Sequence, residues 1–291
     1  MKGIVLAGGL GTRLLPLTLH TSKQLLHVYD KPMIYYPVAT LMQSGIRELL
    51  IISMSRDLDA YKKLLGDGSH LGMHIEYTVQ DYPNGIAEAF ILGENFIKSD
   101  DVALILGDNL FFGDYFNSRL PSLASNNIGA SIFTFSVENP SSYGVAEVNN
   151  SGKIISIVEK PNNPLSNNAV TGLYFYNNKV VEMAKNLEFS QRGELEITDI
   201  NNEFIGLKSM TVHNIEDSSF WFDSGTHESL YFSAWHVRDY EIKNKTKIGC
   251  IEGIAYKNKW ITSKDLNKII GKYGNSEYSS YLHSLIANED E

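Results

Sequence analysis

Short apolar runs alternate with amphipathic stretches through the first hundred residues. The apolar runs predict buried strands at Gly3–Ala7, Leu49–Met54, Ile75–Val79 and Val102–Leu106. The stretches between them predict helices at Met33–Met42, with Pro32 at or near its first turn, at Asp57–Leu65 and at Ala87–Phe96. This alternation predicts βαβ units and an α/β fold, in which a Rossmann-like, mostly parallel central sheet carries helices on both faces.

The second half of the chain has a different pattern. Strand-like runs follow one another with few helices between them, at Ala130–Val137, Val145–Val148, Ile154–Val158 and Gly172–Tyr176, and residues 149–152 predict a turn. We expect a small antiparallel or mixed β portion carried on the first sheet. Helical patterns return from His227 to about Tyr240 and from Ser263, a candidate N-cap, to Ile270. We therefore expect an α/β domain over residues 1–240 and a C-terminal, mainly helical extension over residues 241–291 packed on it, with a solvated tail.

Composition and charge exclude several classes of protein. The chain has 25 basic and 34 acidic residues, and its net charge of −9 argues against a nucleic-acid-binding protein, which needs a broad basic face. Its single cysteine, Cys250, permits neither an intramolecular disulfide nor a thiolate zinc cluster, and its eight histidines do not group at metal-ligand spacing. No window predicts a membrane span or a signal peptide, so we expect a cytoplasmic protein without a membrane or nucleic-acid partner.

A glycine-rich segment directly follows the first predicted strand. Gly8, Gly9 and Gly11 let the backbone turn sharply, and the N–H groups of such a loop can cradle a phosphate chain, with Arg13 adding a cation. The segment lacks the Gly-Lys-Ser/Thr of a Walker loop, and Leu14 stands where the dinucleotide fingerprint needs glycine. A tight turn without a ligand is the simpler alternative, but three glycines and an arginine at this position favour a phosphate site.

Two aspartates mark strand ends. Asp108 follows the buried strand Val102–Leu106, and Asp223 ends an aromatic run before a helix. Because open α/β sheets bind ligands at the carboxyl ends of parallel strands, Asp108 is well placed to bind a hard cation. Each aspartate taken alone could equally be a helix cap or a turn residue.

Ordered motifs along essentially the whole chain carry a family resemblance. They lie at residues 6–14, 22–26, 28–37, 65–69, 107–109, 143–145, 159–161, 169–176 and 192–199. In this order they are similar to the signature of the sugar-nucleotide pyrophosphorylases, and residues 28–37 narrow the resemblance to the short-form glucose-1-phosphate thymidylyltransferases. Three positions depart from that family's usual residues: Leu10 replaces a small or hydroxyl residue, His27 a proline and Glu88 a glutamine.

The resemblance implies a role for each site residue. It makes Asp108 and Asp223 the pair that holds Mg2+, and Arg13, Lys23, Asp108 and Lys160 the catalytic group. The implied nucleotide-binding residues are Gly8, Gly9, Gly11, Thr12, Arg13, Lys23, Gln80, Gly85 and Asp108, with Ile86 beside the base. The implied sugar-phosphate-binding residues are Asn109, Gly144, Glu159, Lys160 and Val170.

The implied reaction transfers a thymidylyl group from dTTP to α-D-glucose 1-phosphate. It is a Mg2+-dependent in-line attack that gives dTDP-glucose and pyrophosphate, the first step of dTDP-deoxysugar biosynthesis, for example of rhamnose. The implied assembly is a homotetramer. Because aromatic and Met side chains are enriched in interface cores, the candidate interface residues are Tyr35, Tyr36, Pro37 and Met42 on the first helix and Tyr231 and Trp235 on the helix after Gly225. Two alternatives stay open, a uridylyltransferase of the same superfamily and a non-catalytic sugar-nucleotide sensor.

Overall fold

The computed structural model describes residues 1–149, 153–216 and 218–288. The turn predicted at 149–152 and the predicted tail lie partly outside these ranges. The described strands are β1 Lys2–Ala7, β2 His27–Val28, β3 Lys31–Pro32, β4 Glu48–Ser53, β5 His74–Val79, β6 Val102–Leu106, β7 Asn109–Phe112, β8 Ala130–Ser136, β9 Gly144–Val148, β10 Ile154–Glu159, β11 Asn168–Tyr176, β12 Met210–Asn214 and β13 Phe220–Asp223. The described helices are α1 Tyr35–Gln43, α2 Leu58–Leu65, α3 Glu88–Leu92, α4 Glu94–Ile97, α5 Asp114–Ser125, α6 Lys179–Lys185, α7 Ile197–Gly206, α8 His227–Asn244, α9 Ile251–Lys257, α10 Ser263–Tyr273 and α11 Glu277–Ala287.

A nine-stranded sheet organises the chain. Its parallel part has the order β6-β1-β4-β5, in which β1 lies between β6 and β4. On the other side of β6 the sheet continues through β11, which pairs antiparallel with β6, β8 and β9. β10 pairs with β9 and β12 with β8, whereas β7 and β13 form a separate two-stranded sheet, as do β2 and β3. The α/β fold class is confirmed, and the predicted antiparallel portion belongs to the same sheet.

Alternate residues of the central strands enter two different cores. On β1, Val5 and Ala7 belong to one buried cluster and Ile4 to the other, because successive side chains of a strand point to opposite faces. The first cluster includes side chains of α1, α2, α5 and α9–α11, and the second includes side chains of α3, α4, α6 and α7. Helices therefore cover both faces of the sheet. Within the described ranges, no helix has the length and apolar character that a membrane span needs.

The structure corrects three local predictions. The first helix begins at Tyr35, and Pro32 lies in β3, while Pro37 occupies the first turn, where its missing N–H costs nothing. The predicted helix Ala87–Phe96 is two short helices that meet at Gly93, where a Cβ would lie 2.9 Å from Ile4 Cδ1. The cap of α10 is Thr262, which forms a capping box with Asp265, so Ser263 is the first residue of the helix.

The sequence does not predict the helices α5, α6 and α7. The helices α9 and α11 lie within the C-terminal extension that the sequence predicts to be mainly helical, without individual bounds. The helix α5 contains an internal proline, Pro121, which weakens a sequence prediction of helix. The helix α8 runs through residue 240 to Asn244, so the boundary predicted at 240 falls inside it. Cys250 and Leu266, which follow that boundary, are buried in the same cluster as Val5 of β1.

Candidate active site

Two cavities meet at the carboxyl ends of β1 and β6. The first, called here the glycine-loop pocket, measures about 210 Å3, and its lining includes Gly8, Gly9, Lys23, Gln80 and Gly85. The second, called here the sheet pocket, measures about 160 Å3, and its lining includes Asn109, Gly144, Glu159, Lys160, Val170 and Asp223. Asp108, Ile86 and Leu106 line both pockets. Two ligands, one in each pocket, would therefore come together at Asp108.

Side chains from outside the loop hold the glycine-rich segment in place. Thr18 Oγ1 donates a hydrogen bond of 2.8 Å to the carbonyl of Gly11, which has the left-handed φ of +62°. Gln24 is almost fully buried beneath the loop, where its Oε1 accepts from Ser22 Oγ at 2.5 Å. The loop is thus held by Thr18, which lies outside the predicted motifs, and by Ser22 and Gln24, which the sequence analysis includes only as members of a motif.

Asp108 is a buried carboxylate with a cation against it. Lys23 Nζ forms an ion pair with Asp108 Oδ2, and Asn109 Nδ2 donates to Oδ1 at 3.2 Å. Burial works to raise the pKa of Asp108, but the charge and the hydrogen bond of Lys23 outweigh it and hold this pKa below its ordinary value. Burial likewise works to lower the pKa of Lys23, but the charge and the hydrogen bond of Asp108 outweigh it, so that this pKa is raised above its ordinary value. The pair is therefore charged at neutral pH.

Asp223 lies beside this pair without a cation of its own in direct contact among the described residues. It ends β13, whose register places it opposite Asn109 of β7. Burial, and then the negative charge of Asp108, raise the pKa of Asp223 to about 6. The positive charges of Lys23 and Arg13 oppose this shift without cancelling it. The two aspartates thus form a carboxylate pair in which Asp223 loses its proton at a higher pH than an ordinary aspartate does.

Asn109 is held by residues distant in sequence. Its Oδ1 accepts hydrogen bonds from the Gly172 amide at 3.0 Å and from Trp221 Nε1 at 2.6 Å. Gly172 permits this contact, since a Cβ there would lie 2.7 Å from Asn109 Cγ. These bonds aim the amide group of Asn109 at Asp108. The sequence analysis does not predict this role for Trp221. The only indication in the sequence is that Trp221 lies two residues before the site residue Asp223.

The far end of the sheet pocket contains an ionic cluster. Glu159 Oε2 accepts a hydrogen bond of 2.7 Å from Thr198, and Oε1 lies 3.3 Å from Arg192 Nη1 and 3.7 Å from Lys160 Nζ. Lys160 has a φ of +43°, which is uncommon for a residue with a side chain, and its amide donates to the Tyr143 carbonyl at 3.0 Å. Four other lysines of the described residues also have a positive φ, so it is the place of Lys160 in the pocket lining that makes it a candidate functional residue. Thr198 and Arg192 were not predicted individually.

The base side of the glycine-loop pocket is formed by Gln80 and Gly85. Gly85 has a φ of +111°, and a Cβ there would lie 2.6 Å from the Leu195 nitrogen, so glycine is required for packing against that backbone. Gln80 Nε2 donates to Glu88 Oε2 at 2.8 Å, and Asn84 Nδ2 donates to Glu88 Oε1 at 2.7 Å. Of the three positions that depart from the expected motifs, Glu88 therefore contacts the pocket, whereas Leu10 and His27 are exposed.

Most of the predicted site residues come together in the two pockets. Those that line one or both are Gly8, Gly9, Lys23, Gln80, Gly85, Asp108, Asn109, Gly144, Glu159, Lys160, Val170 and Asp223. Gly11, Thr12 and Arg13 do not line either pocket, and the Arg13 side chain is exposed. Arg13 nevertheless lies close enough to act electrostatically on Lys23 and Asp223.

A larger cavity of about 290 Å3 lies away from these residues. It is formed between α1, α8 and α9, and its lining includes Tyr36, Tyr240 and Ile254. None of the predicted site residues lines it. Size alone therefore does not identify the reactive site.

The chain is similar to known nucleotidyl transferases in both sequence and structure. A model of the nucleotidyl transferase family matches residues 2–239. Glucose-1-phosphate thymidylyltransferases from Neisseria meningitidis serogroup A and from Mycobacterium tuberculosis strain H37Rv are 47% and 46% identical to this chain over 286 residues, which cover 98% of this chain and 99% of each relative. A Bacillus anthracis structure assigned to the same enzymes, in complex with sucrose, has a TM-score of 0.76 at 42% identity and covers 82% of this chain and 96% of its own. A UDP-glucose pyrophosphorylase complexed with UDP-glucose has a TM-score of 0.73 at 25% identity, covering 83% of this chain and 98% of its own.

Proposed function

Because the chain belongs to the nucleotidyl transferase family, we propose that it transfers a thymidylyl group from dTTP to α-D-glucose 1-phosphate and releases pyrophosphate. The observation that carries the proposal is the pair of pockets that meet at Asp108, one formed by a glycine loop and one lined by Lys160 and Glu159. The names of the similar relatives supply the two substrates. The product, dTDP-glucose, would enter dTDP-deoxysugar biosynthesis, such as that of rhamnose.

The reaction needs positioning and charge neutralisation more than acid–base chemistry. A phosphate oxygen of the sugar phosphate would attack the α-phosphorus of dTTP in line with the departing pyrophosphate. That oxygen is already ionised at neutral pH, so no general base is required. Two polyanions must be held together, and the cations near the pockets include Lys23, Arg13 and Lys160, with Arg192 paired to Glu159. We assign Arg13 and Lys23 to the pyrophosphate side and Lys160 to the sugar phosphate.

The nucleotide would occupy the glycine-loop pocket. Its phosphates would contact the backbone of Gly8, Gly9, Gly11 and Thr12, and its base would lie against Gln80 and Gly85. The sugar phosphate would occupy the sheet pocket, where Glu159 offers a carboxylate to a sugar hydroxyl, and Asn109, Gly144 and Val170 form the walls. With this arrangement, the attacking phosphate and the α-phosphate would meet beside Asp108.

The aspartate pair suits a magnesium ion. Asp108 is buried and Asp223 is partly buried, and both side chains offer only oxygen. Burial, and then the charge of Asp108, raise the pKa of Asp223 to about 6, and a cation beside its ionised form would relieve both effects. No cluster of three or more possible metal ligands occurs in the described part of the chain, and Mg2+ commonly takes one or two carboxylates and completes its shell with phosphates and water. We propose that Asp108 and Asp223 hold it. When bound, Mg2+ would neutralise charge on the reacting phosphates.

A pyrophosphate-release assay tests the proposed reaction. The purified chain would be given dTTP, UTP, dCTP or dATP with glucose 1-phosphate, galactose 1-phosphate or glucosamine 1-phosphate, with and without Mg2+. We expect the highest kcat/KM with dTTP and glucose 1-phosphate, and no turnover without a divalent cation. A higher kcat/KM with UTP than with dTTP would favour the alternative, a uridylyltransferase. The structural similarity to a UDP-glucose pyrophosphorylase is the observation behind this alternative. Tight binding of dTDP-glucose without any turnover would favour a non-catalytic sensor.

We also propose a cytoplasmic homotetramer. Only some of the candidate interface residues are on the surface of the chain. Tyr35, Tyr36 and Met42 are buried within it, whereas Tyr231 and Trp235 of α8 are 66% and 48% exposed. Phe232 and Ile242 of the same helix are exposed as well. Exposed aromatic side chains on one helix are typical of interface cores, which supports an assembly through α8. The division into residues 1–240 and 241–291 likewise stays a proposal.

A further inference from the structure

The Glu88 carboxylate accepts hydrogen bonds from two neighbouring amide groups. Gln80 Nε2 donates to its Oε2 at 2.8 Å, and Asn84 Nδ2 donates to its Oε1 at 2.7 Å. Gln80 is 4% exposed and lies between this carboxylate and the glycine loop. Glu88 is itself the first residue of α3, so its backbone position is set by a regular element. The contact therefore joins a partly buried carboxylate to a wall of the glycine-loop pocket.

A carboxylate restricts Gln80 in a way that a glutamine would not. An ionised carboxylate only accepts hydrogen bonds, so the amide NH2 of Gln80 must face Glu88. A glutamine at position 88 could pair with either orientation of the Gln80 amide, because each amide group both donates and accepts. Rotation of the Gln80 amide by half a turn would place its oxygen against the Glu88 oxygen. Glu88 thus adds to the preference for one of the two orientations, which the longer contact of Gln80 Nε2 with the Gly85 carbonyl, at 3.4 Å, also favours.

The selected orientation presents an acceptor to the pocket. The second hydrogen of Gln80 Nε2 is directed at the Gly85 carbonyl, 3.4 Å away. Gln80 Oε1 lies against Gly8, where it is the heavy atom nearest to the side-chain direction of that glycine, and it accepts no hydrogen bond from the part of the chain that the structure describes. Gly8, Gln80 and Gly85 all line the glycine-loop pocket. A ligand there would meet an oxygen with free lone pairs.

We propose that Glu88 is a positioning residue that strengthens the selection of pyrimidine bases with a ring N–H, thymine and uracil, over cytosine, beyond the selection that a glutamine at this position would give. This rests on the proposed function, which places the base beside Gln80. The N3–H of thymine or uracil would donate to Gln80 Oε1. The unprotonated N3 of cytosine would meet the same oxygen lone pair to lone pair, which supplies a repulsive element against the wrong base. Glu88 does not distinguish thymine from uracil, since both present the same N–H.

The test compares the variant Glu88→Gln with the wild type. With glucose 1-phosphate as acceptor, we expect kcat/KM for dCTP to rise about tenfold, the size of one hydrogen bond's contribution to discrimination. We expect kcat/KM for dTTP and UTP to change together and by less than about twofold, because Gln80 can still present its oxygen. A purely structural role of Glu88 would lower kcat/KM for every nucleotide alike. Glu94→Gln, the same change on the exposed side of α4, is the matched control and should alter none of these ratios.

Equilibrium binding separates this inference from the proposed reaction. Calorimetric titration of both proteins with dTDP and dCDP reports base selection without turnover, and a melting curve checks that the variant is folded. If the wild type released no pyrophosphate but the dTDP-to-dCDP affinity ratio fell in Glu88→Gln, the reaction would be wrong and the role of Glu88 right. An unchanged ratio in a folded, nucleotide-binding variant would overturn the role of Glu88 alone. Failure of the folded wild type to bind either diphosphate would overturn both.

Discussion

Replacing Asp223 by asparagine should stabilise the ligand-free protein while abolishing its turnover. Asp223 is partly buried beside Asp108, whose charge is already paired with Lys23. Ionising a second carboxylate there is unfavourable, which is why the pKa of Asp223 is raised to about 6. Asparagine has nearly the same shape and carries no charge. The variant therefore removes a cost of folding at neutral pH together with one of the two groups assigned to the metal.

The magnitude follows from the pKa. The shift from the ordinary 3.8 to about 6 corresponds to about 3 kcal/mol at about 1.4 kcal/mol per pH unit. The folded chain binds the Asp223 proton more tightly than the unfolded chain does. This contribution to the free energy of unfolding is therefore fully present below about pH 4 and is lost as the pH rises through about 6. At pH 8 the variant should be more stable than the wild type by as much as about 3 kcal/mol, and at pH 4 the two should be nearly equal.

Urea unfolding at several pH values between 4 and 8 measures this difference. Asp81→Asn, which removes an exposed carboxylate, is the control for the loss of one negative charge. Added Mg2+ should raise the midpoint of the wild type at pH 8, where Asp223 is ionised, and should have little effect on Asp223→Asn. A variant that is no more stable than the wild type at pH 8 would refute the burial and charge argument. Near-normal turnover in magnesium buffer would refute the metal assignment.

Three further outcomes test other parts of the site and surface. Lys160→Ala should raise KM for glucose 1-phosphate far more than KM for dTTP, whereas Arg13→Ala should mainly lower kcat. Steady-state kinetics with each substrate varied measure both effects. The reverse pattern would mean that the two ends of the site are interchanged. Gly172→Ala should push Asn109 away from Asp108 and cost about 1–3 kcal/mol of stability together with turnover, and unchanged melting temperature and kcat would contradict the packing argument. Light scattering during gel filtration should give a tetramer mass that falls in Trp235→Glu, and a monomer mass for the wild type at micromolar concentration would exclude the assembly.

The central strands could be predicted because their physics is local. Strands buried on both faces read as continuous apolar runs, and those at Gly3–Ala7 and Val102–Leu106 lie within one residue of the observed β1 and β6. The helix predicted at Ala87–Phe96 is divided at Gly93, where contacts distant in sequence leave no room for a side chain. Gly93 packs against Ile4 and Leu50 on two different strands, and nothing near residue 93 in sequence records those neighbours.

The residues of the site were easier to predict from the sequence than the contacts between them. Asp108, Lys23 and Asn109 stand in recognisable motifs, but the ion pair of Lys23 with Asp108 joins residues 85 positions apart. The hydrogen bond of Trp221 with Asn109 joins residues 112 positions apart. Such contacts, and the pKa of Asp223 that follows from them, depend on the completed fold. The left-handed backbone of Lys160 is equally a product of tertiary packing, because lysine has no local preference for it.

Four glycines around the site share one physical explanation. Each lies where a side chain or backbone segment from another part of the chain approaches too closely for a Cβ. The contacts are Gly8 with Gln80, Gly107 with Gln24, Gly85 with Leu195 and Gly172 with Asn109. Each of these four glycines is therefore a contact point between segments as much as a flexible loop position. Since each partner also lines a pocket or packs directly behind one, substitution of any of these glycines would displace the wall of the site as well as its own loop.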